Sequence, residues 1–243
     1  MRTLIETYKR NGYVLVERFF PEADLATIEI ELETLASDTS QFDAADIVFE
    51  QDSKSLRQLE NLQKYGAFWQ TLTRDRRLLD KVEAIFEASV ICENCSYMAK
   101  PARVGSAVPF HQDNAYNYYK PDHALTVWLA LDASTEENGC VRVIPGSHAK
   151  GLLPHAPSGV TGTSQCLADE LDPATTGEVS LILQRGDASI HHCCTIHRSL
   201  ANRSERSRRG VLFFFRSTDC RVDQVAAAAY SKNLRRMTAE QGG

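Results

Sequence analysis

At Ser89 the chain changes its hydrophobic period, and that change limits the folds open to it more than any other feature. Before this point apolar residues recur mostly at helical spacing. After it come short runs rich in Val, Ile, Leu, Phe and Thr, divided by Gly, Asn and Pro: residues 90–92, 96–99, 109–111, 125–131, 140–144, 179–183, 188–192 and 211–215. Such a series of short strands behind a helical third predicts a mainly β fold with flanking helices, namely a double-sheet jelly roll whose helical N-terminal part packs on one sheet. Turn chemistry agrees. Glu137-Asn138-Gly139, Pro145-Gly146-Ser147 and Arg185-Gly186-Asp187 place Gly where a positive φ is expected.

The first third reads as support. A short helix over 1–10 is broken by Gly12, and Tyr13-Val14-Leu15-Val16 is a β-rich run. Pro21 is placed to open a helix. Leu25, Ile28, Leu32 and Leu35 then form one apolar face over residues 22–36. Residues 37–55 read as irregular around a short strand at 47–49. Helical periodicity is expected over 56–72 and again over 74–86, where Leu78, Leu79, Val82, Ile85 and Phe86 form the stripe. The expected organisation is a single domain over 1–243: helical support to residue 88, a jelly-roll core over 89–220, and an insertion at 150–177 without strong periodicity, a length typical of lids and binding loops.

Composition excludes some partners. The 243 residues are 43% hydrophobic and carry a formal net charge of -5, which offers nothing to nucleic acid or an anionic membrane. No segment approaches a membrane span. The N-terminus lacks the apolar core of a signal peptide, and seven irregularly spaced cysteines argue against a disulfide framework. A cytoplasmic protein acting on a small molecule is expected. Cys92 and Cys95 form a lone C-x-x-C, read as two small apolar residues.

The chemistry starts at His111-Gln112-Asp113. On an extended strand, residues two apart point to one side, so His111 and Asp113 form either a hydrogen-bonded pair or two ligands of a metal. His191, His192 and His197 cluster late in the chain, and one of them could complete a two-histidine, one-carboxylate facial set, the pattern of non-haem Fe(II) oxygenases. Ser199, Asn202, Arg203, Ser204 and Arg208 follow His197, and an arginine entering the next strand can offer a planar fork to a carboxylate; His192 stays open as a rival ligand. Parity places Trp128 on one strand face with Thr126 and Ala130, opposite Leu125, Val127, Leu129 and Leu131.

The ordered set His111-x-Asp113, Trp128 to Asp132, Glu137 to His148, Gly186-Asp187-Ala188 and His197-x-Ser199-x-x-Asn202-Arg203-Ser204-x-x-x-Arg208 resembles the phytanoyl-CoA dioxygenase family, as does the entry Gly12 to Val16 with Phe19-Phe20. The resemblance covers roughly the C-terminal two-thirds. It implies a double-stranded β-helix using Fe(II), 2-oxoglutarate and O2, with His111, Asp113 and His197 as iron ligands. Arg208 would then bind the distal carboxylate of 2-oxoglutarate, with Ser199, Trp128, Gln112 and Thr126 around the cosubstrate. His191 and His192 become residues that orient a ligand or fill the core. The carboxylate at Asp113 argues for hydroxylation, because related halogenases carry a small residue there; desaturation and sequential oxidation use the same ligands. Asn114, Tyr116 and Tyr118 follow the ligand and could wall the substrate pocket. Arg216 shares the parity of Arg208 if no bulge intervenes, and would then meet an acidic substrate group or a protein carboxylate. Two competing readings are a metal-binding sensor that never turns over and a zinc-dependent hydrolase. The latter gives Arg208 and Ser199 no role.

Overall fold

The computed structural model describes residues 1–230. Its helices are α1 (Arg2–Asn11), α2 (Glu22–Ser37), α3 (Ala67–Leu72), α4 (Arg76–Phe86) and the single turn α5 (Asn114–Asn117). The strands in chain order are β1 (Tyr13–Val16), β2 (Ile47–Phe49), β3 (Leu56–Leu59), β4 (Val90–Lys100), β5 (Val108–His111), β6 (Tyr119–Lys120), β7 (Ala124–Ala130) and β8 (Val141–Val143). They continue as β9 (His155–Val160), β10 (Thr163–Leu167), β11 (Val179–Ser180), β12 (Ala188–His192), β13 (His197–Ser199), β14 (Arg208–Ser217) and β15 (Arg221–Val222).

Two antiparallel sheets make the jelly roll. The major sheet runs β1-β12-β7-β14-β4-β3-β2 and the minor sheet β11-β8-β13-β5, with a separate β9-β10 hairpin and a short β15-β6 pair. Alternation along β7 sorts its side chains. Leu125, Val127 and Leu129, with Leu131 just beyond, are fully buried against Leu25, Ile28 and Leu32 of α2 and Leu78, Val82 and Ile85 of α4. Burial of each such side chain contributes roughly 1.5–3 kcal/mol. Thr126, Trp128 and Ala130 therefore face the other way, toward the minor sheet, as parity predicted. Among the described residues no helix is long and apolar enough to cross a membrane, and all seven cysteines are free.

Local chemistry explains several boundaries. Gly12 ends α1 at φ 77, and its N–H bonds the Tyr8 carbonyl at 2.8 Å. A Cβ there would collide with His148 and Thr195. Asp75 caps α4 by accepting from the Arg77 N–H at 2.8 Å.

The helix expected over 56–72 is corrected to a strand, a 3-10 turn (Leu62–Lys64) and the short α3. Leu56, Leu59 and Leu62 recur every three residues and so imitate a helical face. Pairing of Gln58 with Met98 and Leu59 with Tyr97 overrides that local pattern, and Asn61 at φ 56 breaks the chain direction. The runs at 90–92 and 96–99 are one eleven-residue strand, β4. The stretch 150–177 is not without regular structure, since it holds the β9-β10 hairpin. Its turn at Gly162 packs against Gln58, Val48 and Arg57.

Candidate active site

His111 ends β5 and His197 opens β13, where they are direct cross-strand partners. Their rings lie 4.1 Å apart between centroids. Each ring is oriented by its own strand: Nδ1 of His111 donates to the Pro109 carbonyl and Nδ1 of His197 to the Thr195 carbonyl, both at 2.9 Å. A carbonyl can only accept, so Nδ1 carries the proton and Nε2 presents its lone pair. Asp113, just past β5, completes the set, with Oδ1 at 3.8 Å from His111 Nε2 and 3.5 Å from His197 Nε2. The three donor atoms lie within 4.8 Å of one another, close enough to share one ion.

The electrostatics match ligation. Burial pushes His111 down, and burial followed by the neighbouring His111 pushes His197 down to about 3. Both rings are therefore neutral near pH 7, the form that binds metal. Burial works against ionisation of Asp113, but His197, His191 and His111 outweigh it and hold the carboxyl below its ordinary range. The other oxygen of Asp113 is held from the major sheet. Thr126 Oγ1 donates to Oδ2 at 2.5 Å, and His191 Nε2 lies 3.2 Å from it. His192 is elsewhere: its Nδ1 accepts from the Cys194 N–H at 3.0 Å, and its ring packs near Tyr8 and His148.

Arg208 opens β14 and is 5% exposed. Its Nη1 donates to the Gly139 carbonyl at 2.8 Å, its guanidinium lies 4.8 Å from the centroid of the Trp128 ring, and Nε has no partner. Among the described residues no carboxylate pairs with it. Burial lowers its pKa only to about 10, so it stays cationic. A buried, uncompensated guanidinium calls for an anion with a planar, two-oxygen face. The donor set of two imidazoles, one carboxylate and this cation therefore fits iron together with a dicarboxylate such as 2-oxoglutarate.

One cavity of about 710 Å³ joins these groups; His111, Asp113, His197, Arg208, Ser199, Trp128, Thr126 and Tyr116 all line it. Four sequence-predicted residues are not brought there. Gln112, just past β5 and buried, turns away from the cavity: Nε2 donates to the Gly151 and Cys194 carbonyls at 2.9 and 2.6 Å and Oε1 accepts from the Leu153 N–H. Asn114 spends its side chain on both backbone groups of Tyr119. Tyr118, at φ 54, turns toward Gln165 and Tyr230. Arg216 meets a protein carboxylate, Glu93, at 2.5 Å. Sequence reasoning missed the Gly139 carbonyl and the wall that β3 and β4 contribute: Gln58, Glu60, Asn94, Ser96 and Met98. Reading 90–100 as one strand would have put Asn94, Ser96 and Met98 on a common face.

A family model for phytanoyl-CoA dioxygenase (PhyH) matches residues 8–210. The chain belongs to the phytanoyl-CoA dioxygenase family. It is thereby an enzyme of the 2-oxoglutarate-dependent dioxygenase class, as the motifs implied. A probable alpha-ketoglutarate-dependent hypophosphite dioxygenase of Stutzerimonas stutzeri is 32% identical over 228 residues, covering 87% of this chain and 77% of that protein. The human peroxisomal phytanoyl-CoA dioxygenase is 24% identical over 233 residues, covering 90% of this chain and 69% of its own length. In fold, the chain is similar to EctD from S. alaskensis, solved with 2-oxoglutarate and 5-hydroxyectoine. The TM-score is 0.78 at 21% identity, over 92% of this chain and 78% of that one.

Proposed function

We propose that this family member hydroxylates an unactivated C–H bond of a small organic molecule, using Fe(II), 2-oxoglutarate and O2 and releasing succinate and CO2. The observation that carries this reading is Arg208, a buried cation without a carboxylate, opening into the same cavity as His111, Asp113 and His197. Iron with 2-oxoglutarate and O2 supplies the oxidising chemistry when bound. The protein's residues bind, orient and exclude water. His111, Asp113 and His197 would hold the metal, and Thr126 and His191 fix the rotation of the Asp113 carboxylate. Arg208 would pair with the distal carboxylate of 2-oxoglutarate, with the Trp128 ring packed beside the guanidinium and Ser199 on the adjoining wall. Tyr116, whose hydroxyl donates to the Gln165 carbonyl at 3.3 Å, ties the β10 side of the cavity to the wall beside His111. A carboxylate at position 113 favours oxygen insertion over halogen transfer. The cavity volume suits a drug-sized ligand, which favours an organic substrate over a small oxyanion.

The test is anaerobic addition of Fe(II) and 2-oxoglutarate, read by the weak visible charge-transfer band, then admission of air with a substrate library and assay of succinate. A band followed by substrate-dependent succinate supports the oxygenase. A band without turnover would favour a sensor. No band, with hydrolysis supported by zinc, would favour the hydrolase.

A further inference from the structure

The cavity extends beyond the iron-binding residues along the inner face of the major sheet, and the charges on its walls are almost all accounted for. Asp113 belongs to the metal set and Arg208 faces the cosubstrate. Arg198 is paired with Glu178 at 2.8 and 2.6 Å, and Glu93 with Arg216. That leaves Glu60, half-buried on the cavity wall immediately after β3. Both of its side-chain hydrogen bonds fall on one oxygen: Asn94 Nδ2 donates to Oε2 at 2.7 Å, and the Ser96 hydroxyl donates to the same atom. Among the described residues Oε1 accepts from no group and no cation pairs with the carboxylate.

Strand register fixes where Glu60 sits relative to the metal site. Thr126, which bonds Asp113, is paired with Phe214, and Phe214 with Asn94. Asn94 is thus two strands from the residue that holds the ligand carboxylate, and β3 lies one strand further. At strand spacings near 4.8 Å this puts Glu60 roughly 10–14 Å from the metal site. A carboxylate at that distance, fixed by two neutral donors and left without a countercharge, is suited to receive one from a ligand. A charge-assisted bond from an ammonium is about twice as strong as one from a hydroxyl.

We propose that Glu60 is a specificity-determining residue that binds a protonated amine on the substrate, with the carbon to be oxidised held at the opposite end near His111, Asp113 and His197. This rests on the oxygenase reading of the same cavity. A substrate with its cation at one end and an aliphatic segment at the other fits the wall between them, which includes Phe214, Leu212 and Met98.

The experiment uses the full chain loaded anaerobically with Fe(II) and 2-oxoglutarate, titrated calorimetrically with butyl-, hexyl- and octylamine and with the matched alcohols and carboxylates. At least one amine is expected to bind tenfold or more tighter than its alcohol, with the carboxylates weakest. Glu60→Gln, which keeps an oxygen for Asn94 and Ser96, is expected to abolish the amine preference with little change in melting temperature. Glu60→Asp, which keeps the charge but shortens the reach, is expected to retain part of it. No measurable amine binding, equal binding of amines and alcohols, or a preference that survives Glu60→Gln would overturn the proposal. The charge-transfer band of the wild-type complex is the control. Its absence would count against the oxygenase reading itself, whereas a normal band without amine preference removes only the role of Glu60.

Discussion

Arg57 and Arg208 are both buried, 4% and 5% exposed, and each leaves Nε without a partner. They differ in what neutralises them. Arg57 Nη1 meets both oxygens of Glu50 at 3.2 Å, and Glu50 also accepts from the N–H and hydroxyl of Ser106. Arg208 has one carbonyl and an aromatic face. A buried cation with its carboxylate is a finished part of the scaffold, and one without is a place for an anion to bind. Lys100, cross-strand from Arg208, takes a third course. Burial, then the Arg208 and Arg57 charges, push its pKa down to about 6, so it sheds its proton instead of needing a counterion. The surplus positive charge is thereby confined to Arg208.

Substitutions can break or sharpen this contrast. If Arg208 holds the distal carboxylate through a planar pair of charge-assisted hydrogen bonds, each about 1.5–3 kcal/mol, Arg208→Met removes both. It should raise KM for 2-oxoglutarate about a thousandfold in steady-state assays. The melting temperature should not fall, because an uncompensated charge has left the interior. Arg57→Met should do the opposite: denaturant unfolding should show a loss of about 3 kcal/mol from the stranded Glu50, with KM for 2-oxoglutarate little changed. A destabilised Arg208→Met with unchanged KM would make the two arginines alike.

Lys100 gives a pH-dependent version of the same contrast. Between about pH 6 and the ordinary lysine value the unfolded chain holds one proton more than the folded one. Stability should therefore rise with pH across that window by about 1.4 kcal/mol per unit from this residue, and fall on acidification until about pH 6. Lys100→Met should flatten the slope measured between pH 7 and 9 by that amount and be more stable than wild type at pH 7. The smallest effect expected is from Thr126→Val, which removes the donor to Asp113 Oδ2. Chelator competition should show Fe(II) bound about tenfold more weakly.

Some of this was legible in the sequence for physical reasons. The inward set Thr126 and Trp128 follows from the period of a strand, and the metal set from H-x-D together with His197 and Arg208 in family order. Gln112 fails as a cosubstrate residue because its side chain turns away from its two ligand neighbours and is used up on the backbone of Gly151, Leu153 and Cys194. Arg216 obeyed its parity, but its partner Glu93 comes from β4, which no local pattern could reveal. The far wall was hidden because Leu56, Leu59 and Leu62 mimic a helix, and only the non-local pairing of β3 with β4 shows that Glu60 belongs to the cavity.

The most direct measurement compares 2-oxoglutarate with 2-oxopentanoate, which has the same five carbons with a methyl in place of the distal carboxylate, by anaerobic calorimetry with Fe(II) on wild type and Arg208→Met. Wild type should prefer 2-oxoglutarate by about a thousandfold, equivalent to about 4 kcal/mol, and Arg208→Met should bind the two within a few-fold. Equal affinities in wild type, or a preference that persists in Arg208→Met, would contradict the assignment of the unpaired cation to the cosubstrate.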